Sequence, residues 1–234
     1  MGLLDEIKPL SEQTHYIKLV LSGPAGTGKT TLCAEAEDPI WCDFERSTEV
    51  LRKLNPDLKV FRPKRGFQDV LRFTREALKV HKTLVYDTIT SMQIFYMREY
   101  MARTVEEAKR RNSNSDRSIY LPYQGDFRYA TNELTEFFLM LQEADNNIIF
   151  VAHSKDYYAK GIDGSDKLIA TRPHISPALW DNLEAFVNVV AHYVKIGDKR
   201  RMYLNPTGVI HAKNRLGITE PYVDNPKLKE LFNV

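Results

Sequence analysis

The chain has 234 residues, of which 43% are hydrophobic and 27% are charged. It carries 33 Lys and Arg residues against 31 Asp and Glu residues, so its formal net charge of +2 is too small to indicate a polyanion partner. This composition excludes a collagen, an acidic disordered tail and a disulfide miniprotein, and the length favours one domain over two.

The only two cysteines, Cys33 and Cys42, are too few to build a four-ligand structural zinc site by themselves. The amino-terminal sequence carries acids and a proline where a signal peptide needs basic and then apolar residues. No run approaches the roughly 18 apolar residues that a membrane span needs. We therefore expect reduced thiols, no membrane partner and a cytoplasmic protein, in the host cytoplasm if the protein is viral.

Short apolar runs alternate with longer amphipathic runs, which is typical of a mostly parallel α/β sheet flanked by helices. In chain order, the pattern predicts strand 17–21, helix 29–36, strand 39–44, helix 67–80, strand 83–87, helix 89–111, helix 125–145 and strand 148–152. Shorter strands at 186–196, 201–204 and 209–211 predict a small antiparallel extension near the carboxyl end.

Two connections in this pattern are long. Residues 112–124 are polar, and residues 154–177 are interrupted by glycines and prolines. Connections above about 12–15 residues are uncommon unless they are functional or disordered. Both follow predicted strands, on the side where open α/β sheets bind their ligands, so we predict two functional loops.

Residues 23–30 match the pattern G-x-x-x-x-G-K-[ST], preceded by an apolar strand and followed by a helix. Glycines let backbone N–H groups wrap a phosphate, and the start of a helix adds positive potential. In this pattern Lys29 reaches the β and γ phosphates and the Thr30 hydroxyl binds Mg²⁺, so ATP and Mg²⁺ are the predicted cofactors. The predicted cofactor-binding residues are Gly23, Pro24, Ala25, Gly26, Thr27, Gly28, Lys29, Thr30 and Thr31.

A carboxylate for the metal is expected at the end of a neighbouring strand. The apolar run at residues 83–87 ends in Asp87. An aspartate in this place can also cap the helix that follows. Beside a P-loop, however, it is typical of a Mg²⁺ ligand, and Thr30 and Asp87 are the predicted metal site.

The carboxylate that activates water decides the class of ATPase. In the AAA+ group an acidic residue directly follows the metal-binding Asp, whereas here Thr88 stands in that position. The second predicted strand ends in Asp43-Phe44-Glu45, and strand alternation sends Asp43 and Glu45 to the same side. Either carboxylate could orient water, and a solvated strand end is the simpler alternative.

The order of these elements resembles the RecA/RadA family of recombinase-type ATPases. That family carries its catalytic glutamate after the second strand, which implies Glu45, with Lys29 beside it, as catalytic residues. Residues 148–155 resemble the family's strand that ends in a polar sensor of the γ-phosphate. The resemblance implies that His153 is this sensor and that it links the nucleotide state to the following loop.

A further resemblance lies at residues 213–217, Lys-Asn-Arg-Leu-Gly, which are similar to the RadA element Lys-Asn-Arg-Phe-Gly with Leu216 in place of the Phe. It implies that Lys213 and Arg215 serve the nucleotide or DNA path across a subunit boundary, in a ring or filament. The resemblance covers a RecA-like P-loop ATPase domain at residues 17–217, with an N-terminal segment at 1–16 and a C-terminal tail at 218–234. A core this short is similar to the RecA-like ATPases of bacteriophages.

In RecA-type proteins two loops line the DNA channel: one follows the helix after the metal-binding Asp, and the other follows the sensor strand. The resemblance therefore implies that the two long connections contact single-stranded DNA. A competing site is the segment 52–79, which holds nine basic and three acidic residues but can equally be a solvated helix face. The basic residues in and beside the two connections are Arg110, Arg111, Arg117, Lys155, Lys160, Lys167 and Arg172.

The sequence thus predicts a DNA-stimulated, Mg-ATP-dependent single-stranded DNA-binding ATPase of recombination, repair or strand annealing. A single-strand-binding or replication protein is a further expected partner. One alternative is an AAA+-like helicase loader, against which the missing acid after Asp87 argues. Another is a nucleotide-gated adaptor with little turnover, and a small-molecule kinase is disfavoured because no arginine-rich lid is evident.

Overall fold

The computed structural model describes residue 9, residue 12 and residues 14–232, so most of the expected N-terminal segment 1–16 lies outside the described residues. The strands are β1 (Lys18–Gly23), β2 (Pro39–Asp43), β3 (Lys59–Phe61), β4 (Thr83–Asp87), β5 (Asn147–Lys160), β6 (Asp166–Pro173), β7 (Val189–Ile196), β8 (Lys199–Tyr203), β9 (Lys213–Asn214) and β10 (Tyr222–Asp224). The helices are α1 (Lys29–Cys33), α2 (Phe67–Ala77), α3 (Ile89–Arg111), α4 (Gln124–Gln142), α5 (Pro177–Phe186) and α6 (Leu228–Phe232), with a 3-10 helix at Ser47–Leu51.

The strands run in the order β10-β8-β7-β1-β5-β4-β2-β3, with β6 paired to β5 and β9 paired to β7. The central strands from β7 to β3 are parallel to one another. Strands β8, β9 and β10 pair antiparallel beside β7. The predicted P-loop fold, a mostly parallel sheet with a small antiparallel extension, is confirmed.

Helices cover both faces of the sheet, which is why its central strands are apolar runs rather than alternating ones. Every residue of β1 is buried. On one face, Val20 and Phe150 pack with side chains of α3 and α4, such as Phe137. On the other face, Leu21 packs with Leu32 of α1. The sheet is therefore held rigidly between two apolar layers, and its strand ends are fixed in place.

The register brings the carboxyl ends of four strands to one edge. Gly23 at the end of β1 pairs with His153 of β5, and Asp43 at the end of β2 pairs with Asp87 at the end of β4. Because all four strands are parallel, the residues that follow them meet above the same edge. The predicted P-loop, metal and sensor residues are thus brought together.

The predicted loop at 154–177 is wrong. Strand β5 continues past the sheet to Lys160 and pairs with β6 as an antiparallel hairpin, from Ser154 opposite Pro173 to Lys160 opposite Asp166. The side chains of this extension are mostly exposed, so no apolar alternation marked it as a strand. Residues 177–186 then form α5, which begins with a proline at its first turn.

The carboxyl-terminal segment also differs from the sequence prediction. Residues 209–211 form only isolated bridges at Ile210 instead of a strand, and β7 begins at Val189 rather than at residue 186. Strand β10 pairs with β8, and α6 buries Leu228 and Phe232 against the α1 face of the sheet. The expected end of the domain at residue 217 therefore does not coincide with the end of the sheet.

Other boundaries differ by a few residues, because helix ends are poorly marked in sequence. The helices predicted at 29–36, 67–80 and 125–145 end earlier, at Cys33, Ala77 and Gln142. The short strand β3 and the 3-10 helix were not predicted. Among the described residues, none of the helices is both long enough and apolar enough to span a bilayer.

Candidate nucleotide-binding and catalytic site

The P-loop lies between the end of β1 at Gly23 and the start of α1 at Lys29. A Cβ atom on Gly23 would lie 2.1 Å from the backbone oxygen of Tyr193, so only glycine lets β7 approach β1 this closely. Gly28 has φ of 92°, in the left-handed region that favours glycine, and it turns the chain into α1. The predicted phosphate cradle is therefore formed by the backbone.

The Lys29 ammonium lies inside this cradle. Its Nζ donates to the backbone oxygens of Gly23 and Pro24, each at 2.8 Å. Burial lowers its pKa, and the carboxylates of Asp87 and Glu45 partly offset that effect. A buried cation beside a glycine-rich turn at the start of a helix fits the phosphate tail of ATP, and these are the residues that would hold it.

The predicted metal residues lie in contact. Thr30 Oγ1 donates to Asp87 Oδ2 at 2.9 Å, and Ser47 Oγ donates to the same oxygen at 2.7 Å. Burial raises the pKa of Asp87, opposed by the hydrogen bonds from Ser47 and Thr30. A buried carboxylate beside two hydroxyls is an oxygen donor set that suits Mg²⁺. Ser47 was missed because only the turn after β2 brings it here.

Asp43 and Glu45 differ in what they contact. Asp43 is 2% exposed, and its oxygens accept hydrogen bonds from the backbone N–H groups of Glu45, Ser47 and Thr48. The Thr48 hydroxyl adds a further bond at 2.6 Å. Asp43 therefore has little capacity left for a water molecule, and its role is to shape the turn that presents Glu45.

Glu45 projects into the site and is held by three side chains. Thr88 Oγ1 donates to it at 2.7 Å, Ser91 Oγ donates to the same oxygen, and His153 Nε2 lies 3.0 Å from both carboxylate oxygens. The hydrogen bond from His153 is the largest cause of a lowered pKa, about 2, which burial opposes. Thr88 takes the place directly after Asp87 where AAA+ proteins carry an acid. Its hydroxyl here holds Glu45, which follows the neighbouring strand β2.

His153 connects the P-loop strand to Glu45. Its backbone pairs with Gly23, and its N–H donates to Thr90 Oγ1 at 3.1 Å. Its ring reaches Glu45 across the ends of β4 and β5. The predicted sensor residue therefore contacts the predicted catalytic residue directly, one residue away from the point where β5 leaves the sheet.

The hairpin of β5 and β6 carries four of the residues predicted to contact DNA. Arg172 lies 4.2 Å and Lys155 lies 5.7 Å from the ring of Tyr157, so two cations flank one aromatic side chain. Lys160 pairs with Asp166 at 2.9 Å near the hairpin tip, and Lys167 lies beside it on β6. The hairpin thus presents four cations and aromatic rings beside the nucleotide-facing edge, and the carboxylates of Asp156, Asp163 and Asp166 offset much of the positive charge.

The connection at 112–124 offers fewer free cations than the sequence predicted. The Arg117 guanidinium bonds the buried Asp126 and stacks on the Tyr123 ring, so its assignment as a DNA contact is not supported. Arg110 pairs with Glu106 at 2.5 Å on the exposed face of α3, and Arg111 ends that helix. Exposed apolar side chains run from the second half of this connection into the start of α4: Ile119, Tyr120, Leu121, Tyr123, Phe127 and Tyr129.

Lys213 lies level with the middle of β1, and Arg215 lies near the edge of the sheet opposite the P-loop of its own chain. Lys213 pairs with Val190 of β7, level with Val20 in the middle of β1, and its Nζ donates to the oxygen of Glu184. The Arg215 N–H donates to the Asn188 oxygen, at the amino end of β7. A role of these two residues at the nucleotide of a neighbouring subunit stays a prediction.

The competing basic segment 52–79 is partly neutralised. Arg62 pairs with Glu49 at 2.9 Å and lies 3.5 Å from Asp43, and Arg52 pairs with Glu49 at 3.0 Å. Arg72 pairs with Asp69.

Within the described residues, no three or more His, Cys, Asp or Glu side chains cluster in a way that could hold a further metal ion.

A parallel sheet with a glycine-rich phosphate cradle, a buried lysine and a Thr–Asp pair defines a P-loop NTPase. The chain belongs to the AAA domain family, whose model matches residues 15–216, and it is accordingly a P-loop ATPase of this type. A search of curated proteins gave no match.

Two solved structures are similar to the chain. The first is a KaiC-like protein from the hyperthermophilic archaeon Pyrococcus horikoshii OT3, at 14% identity and a TM-score of 0.40, covering 90% of this chain and 89% of that one. The second is the genome packaging NTPase of Sulfolobus turreted icosahedral virus 2 in complex with ATP-γS. It is 9% identical with a TM-score of 0.36, covering 82% of this chain and 93% of that one.

Proposed function

We propose that this P-loop ATPase binds single-stranded DNA in a Mg-ATP-dependent manner and acts in DNA recombination or strand annealing. The observation that carries the proposal is the continuity of β5. Its residue His153 contacts Glu45 beside the P-loop, and the same strand runs directly into the β5–β6 hairpin at Lys155 and Tyr157. A change at the nucleotide therefore has a short, rigid path to the hairpin.

The residues at the nucleotide have distinct roles in this proposal. Lys29 and the P-loop N–H groups bind the phosphates, and Thr30 and Asp87, supported by Ser47, hold Mg²⁺. The metal supplies neutralisation of phosphate charge when it is bound. Glu45 orients the attacking water, and the hydrogen bonds from His153, Ser91 and Thr88 fix its carboxylate for this task.

The hairpin offers what an extended strand of nucleic acid needs. Lys155, Lys160, Lys167 and Arg172 supply cations for phosphates, and the ring of Tyr158, 58% exposed, is free to stack on a base. Stacking on an aromatic side chain is worth about 1–3 kcal/mol per base and tolerates any sequence. Both contributions favour binding without base readout, which suits a recombination or annealing protein.

Assembly and location complete the proposal. In this proposal Lys213 and Arg215 serve the nucleotide of a neighbouring subunit, so the active form is a ring or filament of this chain. The place of Arg215 at the amino end of β7, opposite the P-loop end of β1, supports this role. A protein that binds single-stranded DNA in the cytoplasm meets single-strand-binding or replication proteins on the same DNA. We include such a protein as a partner.

The experiment is ATP hydrolysis measured with and without a single-stranded oligonucleotide, beside oligonucleotide binding measured with and without ATP. We expect single-stranded DNA to raise turnover and ATP to tighten DNA binding. The Glu45→Gln variant is the control without hydrolysis, because it lacks the proposed water-orienting carboxylate. The proposal would be rejected if DNA did not change the rate of ATP turnover and the protein did not bind DNA in the presence of ATP.

A second candidate is a nucleotide-gated adaptor with little turnover. The observation in its favour is the pKa of Glu45, lowered to about 2 mainly by the His153 hydrogen bond, because so weak a base takes protons poorly. ATP binding with the same slow turnover in wild type and Glu45→Gln, with or without DNA, would favour the adaptor.

A further inference from the structure

An arginine outside the P-loop pattern lies against the P-loop of its own chain. Arg200 is on β8, next to the turn that joins β7 to β8, and its Nε donates to the backbone oxygen of Thr27 at 3.1 Å. Thr27 is the residue before Gly28 and is 5% exposed. The contact joins two segments that lie 173 residues apart in the sequence.

The same guanidinium packs on Gly28. A Cβ atom at Gly28 would lie 3.0 Å from Arg200 Nε and 3.4 Å from its Cζ. The bare Cα of this glycine therefore accommodates the guanidinium as well as the left-handed turn. Lys29 follows directly, so the contact lies one residue from the cation of the phosphate site.

The backbone of Arg200 is fixed independently of the P-loop. Its N–H donates to Asn225 Oδ1 at 3.0 Å, and the Asn225 N–H donates back to the Arg200 oxygen at 2.5 Å. Asn225 follows β10, which pairs with β8 in the antiparallel extension. The sheet extension thus holds Arg200 in place before any nucleotide arrives.

We infer that Arg200 is a positioning residue for nucleotide binding, which acts by fixing the orientation of the Thr27–Gly28 peptide. In a trans peptide the C=O and N–H bonds point in opposite directions. Because the Thr27 oxygen points to Arg200, the Gly28 N–H points away from it, towards the phosphate cradle. The guanidinium charge also polarises the peptide, which makes this N–H a stronger donor.

This inference rests on the P-loop binding ATP, and it concerns affinity rather than chemistry. The Gly28 N–H belongs to the part of the cradle that takes phosphates common to ATP and ADP. An interaction equally strong in the ground and transition states changes KM and leaves kcat alone. Loss of Arg200 should therefore weaken both nucleotides by the same factor.

The test is Arg200→Met, which keeps the length of the side chain and removes its donor and charge. We expect the affinities for ATP and for ADP, measured by titration calorimetry, each to fall about tenfold, equivalent to about 1.4 kcal/mol. KM for ATP should rise by the same factor, with kcat at saturating ATP within twofold of wild type. The matched control is Lys199→Met, which removes the exposed cation next to Arg200 on β8. This variant should keep both nucleotide affinities.

Melting temperatures without nucleotide check that the variants fold. If Arg200→Met is unfolded, Asn225→Gly is measured instead. Glycine tolerates the φ of 47° at this position, and the substitution removes the side-chain oxygen that accepts from the Arg200 N–H. It should weaken ATP and ADP equally. Affinities within twofold of wild type, or a loss of kcat at unchanged affinity, would overturn the inference. Both readouts omit DNA, so they are independent of whether DNA stimulates turnover.

Discussion

Asp43 and Glu45 are two residues apart, yet their surroundings give them different chemistry. The oxygens of Asp43 are occupied by N–H and hydroxyl groups of the turn at residues 45–48, whereas Glu45 contacts only the side chains of Thr88, Ser91 and His153. A side-chain clamp can rearrange when a nucleotide binds, and a backbone turn cannot do so without unfolding locally. This difference is the reason for assigning the water-orienting role to Glu45.

At the residue scale, Lys29 and Glu45 should separate binding from turnover. Lys29→Ala should abolish hydrolysis and strongly weaken ATP binding, because it removes the buried phosphate cation. Glu45→Gln should keep ATP affinity and lose turnover, since only the orientation of water is affected. Titration calorimetry and a phosphate-release assay measure the two effects.

Equal turnover in wild type and Glu45→Gln would contradict this assignment. Asp43→Asn would then be the next variant to measure. Its expected effect is different, because loss of the Asp43 carboxylate charge should first lower the melting temperature of the whole domain.

The lowered pKa of Glu45 makes a further prediction about stability. A carboxyl group with a depressed folded-state pKa stabilises the fold above its ordinary value of 4.5, and this contribution is lost as the pH falls towards about 2. The difference in unfolding free energy between wild type and Glu45→Gln should therefore be constant above pH 5 and should shrink between pH 4.5 and pH 2. Urea denaturation at several pH values measures it, and a difference that does not change with pH would contradict the clamp.

At the scale of elements, the β5–β6 hairpin is the feature that sequence patterns missed. Beyond His153 most of its side chains are exposed, so it carries no apolar alternation, and it was predicted as a loop. Its place at the ligand-binding edge followed from the strand order, whereas the choice of its basic residues as DNA contacts came from the RecA/RadA resemblance and stays a prediction. Local pattern thus predicted the location of the hairpin but not its shape.

In the candidate site, too, some residues could be predicted from sequence patterns and others could not. The P-loop could be predicted because a short motif contains it, and Asp87 could be predicted because it ends an apolar strand. Ser47 and Ser91 could not, because Ser91 reaches Glu45 only when the first turn of α3 and the end of β2, 46 residues apart, meet at one sheet edge. Arg200 was missed for the same reason, since its contact joins segments 173 residues apart in the sequence.

Neutralising Lys155, Lys160 and Arg172 together should weaken single-stranded DNA binding and flatten its salt dependence. Each lost phosphate contact removes about 0.7 from the log–log slope on single strands, so three contacts remove about 2. Fluorescence anisotropy across a salt series measures both quantities. ATP affinity should be unchanged, because none of these side chains contacts the P-loop.

A matched control neutralises three exposed lysines of the competing segment, Lys53, Lys64 and Lys79. It removes the same number of positive charges from a different segment of the chain. If this control abolishes binding and the hairpin variant keeps full affinity and slope, the DNA lies on segment 52–79 instead.

At the scale of the whole molecule, the proposed role of Arg215 at a subunit boundary predicts that hydrolysis depends on assembly. Arg215 is at the amino end of β7, while the P-loop is at the carboxyl end of the adjacent β1. A cation supplied by a neighbouring subunit can contribute about 10³–10⁵ in rate. Turnover per protomer should therefore rise with protein concentration.

Mixing two inactive variants tests the same point. Arg215→Ala lacks the donated cation, and Glu45→Gln lacks the water-orienting group, so a mixed interface can contain one intact composite site. Some activity should return in the mixture. A mixture that stays inactive, with turnover per protomer independent of concentration, would mean that each chain hydrolyses ATP alone.

The central claim is that nucleotide state controls DNA binding through His153 and the hairpin. The most direct measurement is the dissociation constant of a single-stranded oligonucleotide in a non-hydrolysable ATP analogue and in ADP, for wild type and for His153→Ala. Because a ligand shifts an equilibrium only by its differential affinity for the two states, wild type should bind DNA more tightly with the analogue than with ADP. His153→Ala should lose that difference, and equal wild-type affinities in the two nucleotides would contradict the account.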